Sequence, residues 1–292
     1  MMSTFPIKLQ FGIDIQVITP HSEAVFVYNG AMLAAPDPTA PALCMDMGGG
    51  STEVVVGYNG RPSTVCEIGI GSTKLKIGMP QLQGEGVADR TEMRECRRRC
   101  RRVLQQSDLA PALQEMVRPA LTTRRHRSVR PHAKFCSEPH VIAKTSCSVC
   151  QTVQRTELSM PHIVSSKLLR CMQEQLRQPQ QRLPVYGTSG TVKAVSSVIT
   201  QLFPRAATPQ CHLTSFTRGE LEALLQQLQC TSREERLALP GIKRKRVDAI
   251  VPGAILLYEL MNYFSIDELA ASVTGLREGI VAAHLRPCSP TG

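Results

Sequence analysis

The sequence predicts an α/β fold, and three observations carry that prediction. Short β-rich runs punctuated by Gly and Pro occupy Phe11 to Met79, and a strand–loop–helix rhythm resumes at Leu183. The stretch between them has neither rhythm and reads as an insertion. With 292 residues, 42% of them hydrophobic, the chain can build one large domain or two small ones with real cores.

Each element has a local reason. Gly12 to Ile18 alternates at period two and predicts a half-buried strand, and Glu23 to Met32 a short helix. Ala42 to Met45 predicts a buried strand running into Asp46. Glu53 to Tyr58 and Pro62 to Ile68 predict a hairpin joined by Asn59-Gly60. Arg90 to Gln106 is helical in composition, whereas Arg118 to Ser159 keeps no period and predicts a disordered surface segment. Leu183 to Tyr186 predicts a strand, Gly187 to Thr191 a tight loop and Val192 to Leu202 a helix. Thr217-Arg218-Gly219-Glu220 and Ser232-Arg233-Glu234-Glu235 are capping boxes. An apolar helix over Asp248–Phe264, a strand over Glu268–Val273 and a last helix over Leu276–His284 complete the reading.

Composition removes several function classes. The chain has no Trp and 4% aromatic residues, which argues against an aromatic-lined lectin or base-stacking surface. The charge-free stretch Ala249–Tyr258 is half the length of about 20 apolar residues that a spanning helix needs. No secretory signal is legible at the N-terminus, and eleven cysteines, an odd number, point to free thiols in a reducing, cytoplasmic setting. The net charge of +10 is concentrated: Arg90 to Lys134 holds 13 Lys/Arg against 4 Asp/Glu. A charge confined to one segment is a poor argument for a nucleic-acid-binding face.

Two constellations carry chemistry. In Asp46-Met47-Gly48-Gly49-Gly50-Ser51-Thr52-Glu53, three glycines between two strands let backbone N–H groups converge on an anion. Ser51 and Thr52 add hydroxyls, and Asp46 and Glu53 supply the hard oxygens that a phosphate-bridging Mg²⁺ requires. Gly187-Thr188-Ser189-Gly190-Thr191 is a second candidate anion turn, at a helix start, where N–H groups and the helix dipole favour negative charge. The bland alternatives are an empty hairpin and an ordinary cap.

Those two motifs, together with Val247-Asp248-Ala249-Ile250-Val251-Pro252-Gly253 and Gly275-Leu276-Arg277-Glu278-Gly279, resemble in order and setting the exopolyphosphatase/guanosine pentaphosphate phosphatase (Ppx/GppA) family. The resemblance covers Phe11–Met79 and Leu183–Ala283. It implies an actin-like, ribonuclease H-like fold of two lobes around a phosphate cleft. It further implies Mg²⁺-dependent release of terminal phosphate from inorganic polyphosphate or guanosine pentaphosphate. The family's catalytic glutamate segment is represented by Thr19-Pro20-His21-Ser22-Glu23-Ala24, which gives Glu23 the general-base role. On this resemblance, residues 1–40 are a remnant of the first lobe and its connecting helix. Residues 41–292 are the second lobe, interrupted by a basic insertion at about 90–160. A chain lacking most of a lobe is expected to self-associate and to turn over slowly. The alternative is a degenerate polyphosphate- or nucleotide-binding module. Nucleic acid and membrane are not expected partners. Cys136, His140, Cys147 and Cys150 are soft metal ligands at a spacing that matches no common zinc site, and they read as free thiols and a lone imidazole in a loop.

Overall fold

In the computed structural model, which describes residues 11–13, 15–77, 90–107, 183–204 and 213–285, helix α1 (Pro20–Met32) precedes strands β1 (Ala42–Met47), β2 (Thr52–Tyr58) and β3 (Arg61–Ile68). The short α2 (Ser72–Ile77) and α3 (Arg90–Gln106) follow. Next come β4 (Val185–Thr188), α4 (Gly190–Leu202), β5 (Leu213–Thr217), α5 (Arg218–Gln229) and α6 (Arg233–Ala238). A 3₁₀ turn at Arg244–Arg246 leads into α7 (Val247–Tyr263), β6 (Glu268–Ser272) and α8 (Leu276–Leu285).

The six strands form one mixed sheet in the order β3-β2-β1-β4-β6-β5. β1, β4 and β6 run parallel, with β2 and β3 added antiparallel on one side and β5 on the other. The loops leaving β1, β4 and β6 therefore emerge at a common edge, the carboxyl ends where open α/β sheets hold ligands.

Period-two alternation decides what each face of the sheet does. Leu43, Met45, Met47, Val54 and Val56 join the larger core with α7 at its centre. Nearly every residue of α7 from Val247 to Met261 is buried, and it packs on α2, α3, α4 and α5. On the other face Cys44, Val55 and Tyr186 form a second core beneath α1, whose Ala24, Val27, Tyr28 and Ala31 are fully covered. Close approach fixes α1 against α8. A methyl group at Gly30 would overlap the Gly275 carbonyl, and one at Gly279 the Phe26 carbonyl.

Most expected elements are present, and the differences have causes. Gly12 to Ile18 forms no strand among its described residues, and Phe11, Ile13, Ile15 and Val17 are exposed. Alternation specifies a strand only where an edge is there to pair with, and no described strand takes that segment. β5, for which no expectation existed, covers β6 through the short alternating run Leu213–Thr217. Of the basic insertion, Arg90–Gln106 is a helix seated by Met93, Cys96, Cys100 and Leu104, all buried. The Arg118–Ser159 segment, with Cys136, His140, Cys147 and Cys150, lies outside the described residues. Among the described residues no helix is long and apolar enough to cross a membrane.

Candidate active site

The site is built where an apolar row becomes a charged one. Val65, Val55, Cys44 and Tyr186 sit side by side across β3, β2, β1 and β4 beneath α1. Two residues further along the same face the row reads Glu67, Glu53, Asp46 and Thr188. Three carboxylates thus occupy directly opposed positions on neighbouring strands, an arrangement that like charges disfavour. Glu23, in the first turn of α1, joins them from above and feels both Asp46 and Glu67.

Electrostatics follow from that crowding. Burial raises the Glu23 carboxyl above its ordinary value, with Asp46 and then Glu67 pushing the same way. Burial raises Asp46 as well, against the Thr188 hydroxyl and the Lys193 ammonium, which favour its charged form. Glu53, 4% exposed, is raised by burial despite the hydrogen bond it accepts from Ser51 Oγ, and Asp46 and Glu23 add to the rise. Desolvation acts on all three, and repulsion from neighbouring carboxylates adds to it at Glu23 and Glu53.

The glycine hairpin above this row is held from one side. The Gly48 carbonyl accepts from Ser72 N at 3.0 Å, and the Gly49 carbonyl accepts from Thr73 N and Lys74 N at 3.0 and 2.9 Å. The hairpin therefore turns its carbonyls to the start of α2. The backbone N–H groups of residues 48–51 have no backbone acceptor among the described residues. None of Gly48, Gly49 and Gly50 has a positive φ. What the loop requires is closeness: a side chain at Gly71 would strike the Gly49 backbone at 2.5 Å, while a Cβ on Gly50 would meet nothing within 4 Å.

The second loop is tighter than the sequence suggested. β4 runs through Thr188 and α4 begins at Gly190, so Ser189 makes the turn alone. It does so at φ 96° and ψ 161°, a region that is essentially glycine-only, and its Oγ accepts from Val192 N at 3.2 Å as the N-cap. A cleft of about 560 Å³ opens beside it, lined by Asp46, Thr188, Ser189 and Gly190 and walled by cations. Lys193, Lys243, Lys245, Arg246 and Arg277 stand on that wall. The Arg246 guanidinium lies directly over Gly190, where a methyl group would displace it. Lys193 Nζ also donates to the Val273 carbonyl at 2.7 Å, and Glu278 accepts from Gly275 N at 2.8 Å, which fixes the turn after β6.

The predicted residues divide into two groups. Asp46, Thr188, Ser189 and Gly190 share the cleft, and Glu23 and Glu53 stand beside Asp46. Gly48, Gly49, Gly50 and Ser51 form the hairpin at the same sheet edge. At three of the expected positions the side-chain direction leads into the scaffold rather than the cleft. Thr52 is fully buried and its hydroxyl donates to the Ile70 carbonyl at 2.7 Å. Gly187 lies one residue out of phase with Thr188, so it faces Leu269 and Val192 in the larger core. Thr191 is buried with its methyl against Gly253 of α7. Ser72 approaches the same glycine, so both loops are seated on α7 at Gly253. The cationic wall escaped the sequence reading. Its signal was the run Lys243-Arg244-Lys245-Arg246, hidden by the larger charge excess of the insertion. No three His, Cys, Asp or Glu side chains among the described residues lie close enough to hold an ion by themselves.

Comparison with known proteins places the family and the fold. The model of the Ppx/GppA phosphatase family matches residues 6–159 and 150–286. A provisionally named exopolyphosphatase of Haemophilus influenzae is 34% identical over 98 residues, which span 33% of this chain and 28% of that protein. An exopolyphosphatase from Cytophaga hutchinsonii superposes with a TM-score of 0.62 at 18% identity, covering 96% of this chain and 68% of its own. The Ppx/GppA family member of Aquifex aeolicus gives a TM-score of 0.58 at 17% identity, with 96% and 67% covered. The fold is the actin-like fold of these proteins, and this chain spans about two thirds of the two solved chains, while its match to the Haemophilus protein spans 28% of that protein.

Proposed function

The chain belongs to the Ppx/GppA phosphatase family, and we propose that it releases terminal phosphate from inorganic polyphosphate, with guanosine pentaphosphate as the second substrate to test. The observation that carries this reading is the juxtaposition of the carboxylate group Glu23, Asp46 and Glu53 with two turns that offer backbone N–H groups at one sheet edge. Such turns hold phosphate oxygens, and the carboxylates act on water and on positive charge beside them.

In the proposed reaction the terminal phosphate rests against the N–H groups of residues 48–51 and the N-terminus of α4 at Ser189–Gly190. Lys193, Arg246 and Arg277 neutralise the following phosphates along the cleft. Glu23 takes a proton from a water molecule, whose oxygen bonds to the terminal phosphorus. The bridging P–O bond breaks, leaving the chain one unit shorter and one orthophosphate. A carboxyl with a raised pKa suits this role, because a base works best when its pKa approaches the working pH. Positioning and charge neutralisation supply most of the acceleration in phosphoryl transfer.

A magnesium ion fits the donor set. The opposed carboxylates of half-buried Asp46 and buried Glu53 repel each other, and a hard divalent cation would remove that repulsion. Magnesium keeps several waters and takes one or two carboxylates plus substrate phosphates, so no three-residue cage is required. Asp46 and Glu53 would hold it, and when bound it would supply Lewis-acid neutralisation of the phosphate oxygens. The test is orthophosphate release from long-chain polyphosphate and from guanosine pentaphosphate with Mg²⁺. Release from polyphosphate supports the reading. Binding of both without release from either would identify an anion-binding module without turnover.

A further inference from the structure

A second basic surface lies apart from the cleft. α3 carries seven arginines against two glutamates over Arg90–Gln106. Arg94, Arg97, Arg98, Arg101, Arg102 and Gln105 recur at helical spacing and line one hollow of about 570 Å³. The helix is held so that this face stays outward. Met93, Cys96, Cys100 and Leu104 are buried against the core. Arg101 makes a bidentate pair at 2.7 and 3.2 Å with Glu259, a carboxylate 2% exposed on α7. Arg97 stands 3.9 Å from the same carboxylate and 4.9 Å from the Tyr258 ring centre. Arg97 and Arg101 are thus anchors. Arg98 pairs with Glu95 on the surface, and Arg94 and Arg102 have no carboxylate partner among the described residues.

We propose that this arginine face binds the distal part of a long polyphosphate chain, so that affinity rises with chain length beyond what the terminal site alone provides. This rests on the polyphosphate reading of the cleft. The chemistry favours a bare polyanion over nucleic acid. Guanidinium groups bind phosphate oxygens well, and no aromatic side chain lies on α3 for bases to stack on. The anchors of α3 meet α7 at Glu259, 13 residues beyond Arg246 of the cleft wall and so about 20 Å further along that helix, a span that only a chain longer than a few phosphates bridges.

The experiment measures binding of tripolyphosphate and of polyphosphate several hundred units long at two salt concentrations. It compares the full chain with the triple variant Arg94→Gln, Arg98→Gln, Arg102→Gln, which spares both anchors, and with Gly50→Val in the hairpin. The triple variant should keep its melting temperature and its tripolyphosphate affinity. Its long-chain affinity should fall by about tenfold, with a shallower salt dependence. Gly50→Val should lose tripolyphosphate yet retain long-chain binding, which separates failure of the cleft reading from failure of this one. Equal affinity of wild type and triple variant for the long chain would overturn the proposal. So would equally tight binding of single-stranded DNA of matched charge.

Discussion

Residues 48–51 turn β1 into β2 with no glycine at positive φ, their carbonyls tied to the start of α2, while Ser189 turns β4 into α4 at φ 96° with one side-chain bond to brace it. The hairpin is relaxed and depends on neighbours that lack side chains, above all Gly71. The second turn is strained and depends on what surrounds it: Arg246 over Gly190, Thr191 against Gly253, and Lys193 tied to Val273. The difference is where the requirement is stored. In the hairpin it lies in empty space, and in the second turn it lies in backbone conformation, so substitutions should separate the two.

The largest effect is expected at their shared seat. Gly253→Val would drive its side chain into Thr191 and Ser72 and displace both loops. Overpacking of a buried site costs typically about 1–3 kcal/mol, and here the upper end is expected, with phosphate binding lost, as read by urea unfolding and calorimetry. Gly71→Ala should act on the hairpin alone. Its methyl would meet the Gly48 and Gly49 carbonyls, costing about 1–2 kcal/mol and weakening tripolyphosphate binding while leaving α4 intact. Loss at both loops from Gly71→Ala would break the distinction between them.

Ser189→Gly should have the opposite sign. Relief of a glycine-only conformation is worth about 1–3 kcal/mol, while replacing a serine cap by glycine costs only a few tenths. A net gain of about 1 kcal/mol in unfolding free energy is therefore expected, alongside weaker anion binding by a looser turn. Destabilisation would mean that the Ser189 side chain, rather than its neighbours, holds the turn.

The smallest effect concerns pH. Glu23, Asp46 and Glu53 have folded-state pKa values above their ordinary ones, so the folded state holds protons that the unfolded chain has already released. Their contribution to stability is present at low pH. It is lost as pH rises from the ordinary values of 3.8 and 4.5 through the raised ones. Glu53→Gln should flatten that fall, and Mg²⁺ at neutral pH should reverse it in the wild type but less in the variant. Melting temperatures recorded from pH 4 to 8 test both.

The sequence made the fold legible wherever local rules and tertiary context agree. Thr217 and Ser232 cap the helices that their boxes predict, and Asn59 and Gly60 take positive φ between β2 and β3. It misled where a partner was needed, as at Gly12 to Ile18, whose alternation found no edge. The candidate site was half legible. Asp46 and the Thr188–Gly190 turn stand at the cleft, and Glu23 and Glu53 beside it. Which residue of a motif faces the ligand depends on strand parity and helix phase, so Thr52, Gly187 and Thr191 were indistinguishable from their neighbours until β1, β4 and α7 were in register. Glu67 and the Lys243–Arg246 run join the site only through pairing and packing between distant segments.

The most direct test compares orthophosphate release from polyphosphate by the wild type and by Glu23→Gln, with substrate affinity measured on both. A base at the reacting water contributes about 10²- to 10⁴-fold, so kcat should fall by that factor while the dissociation constant stays the same. Unchanged kcat in Glu23→Gln, or a loss explained wholly by weaker binding, would contradict the assignment of Glu23 and the chemistry built on the carboxylate row.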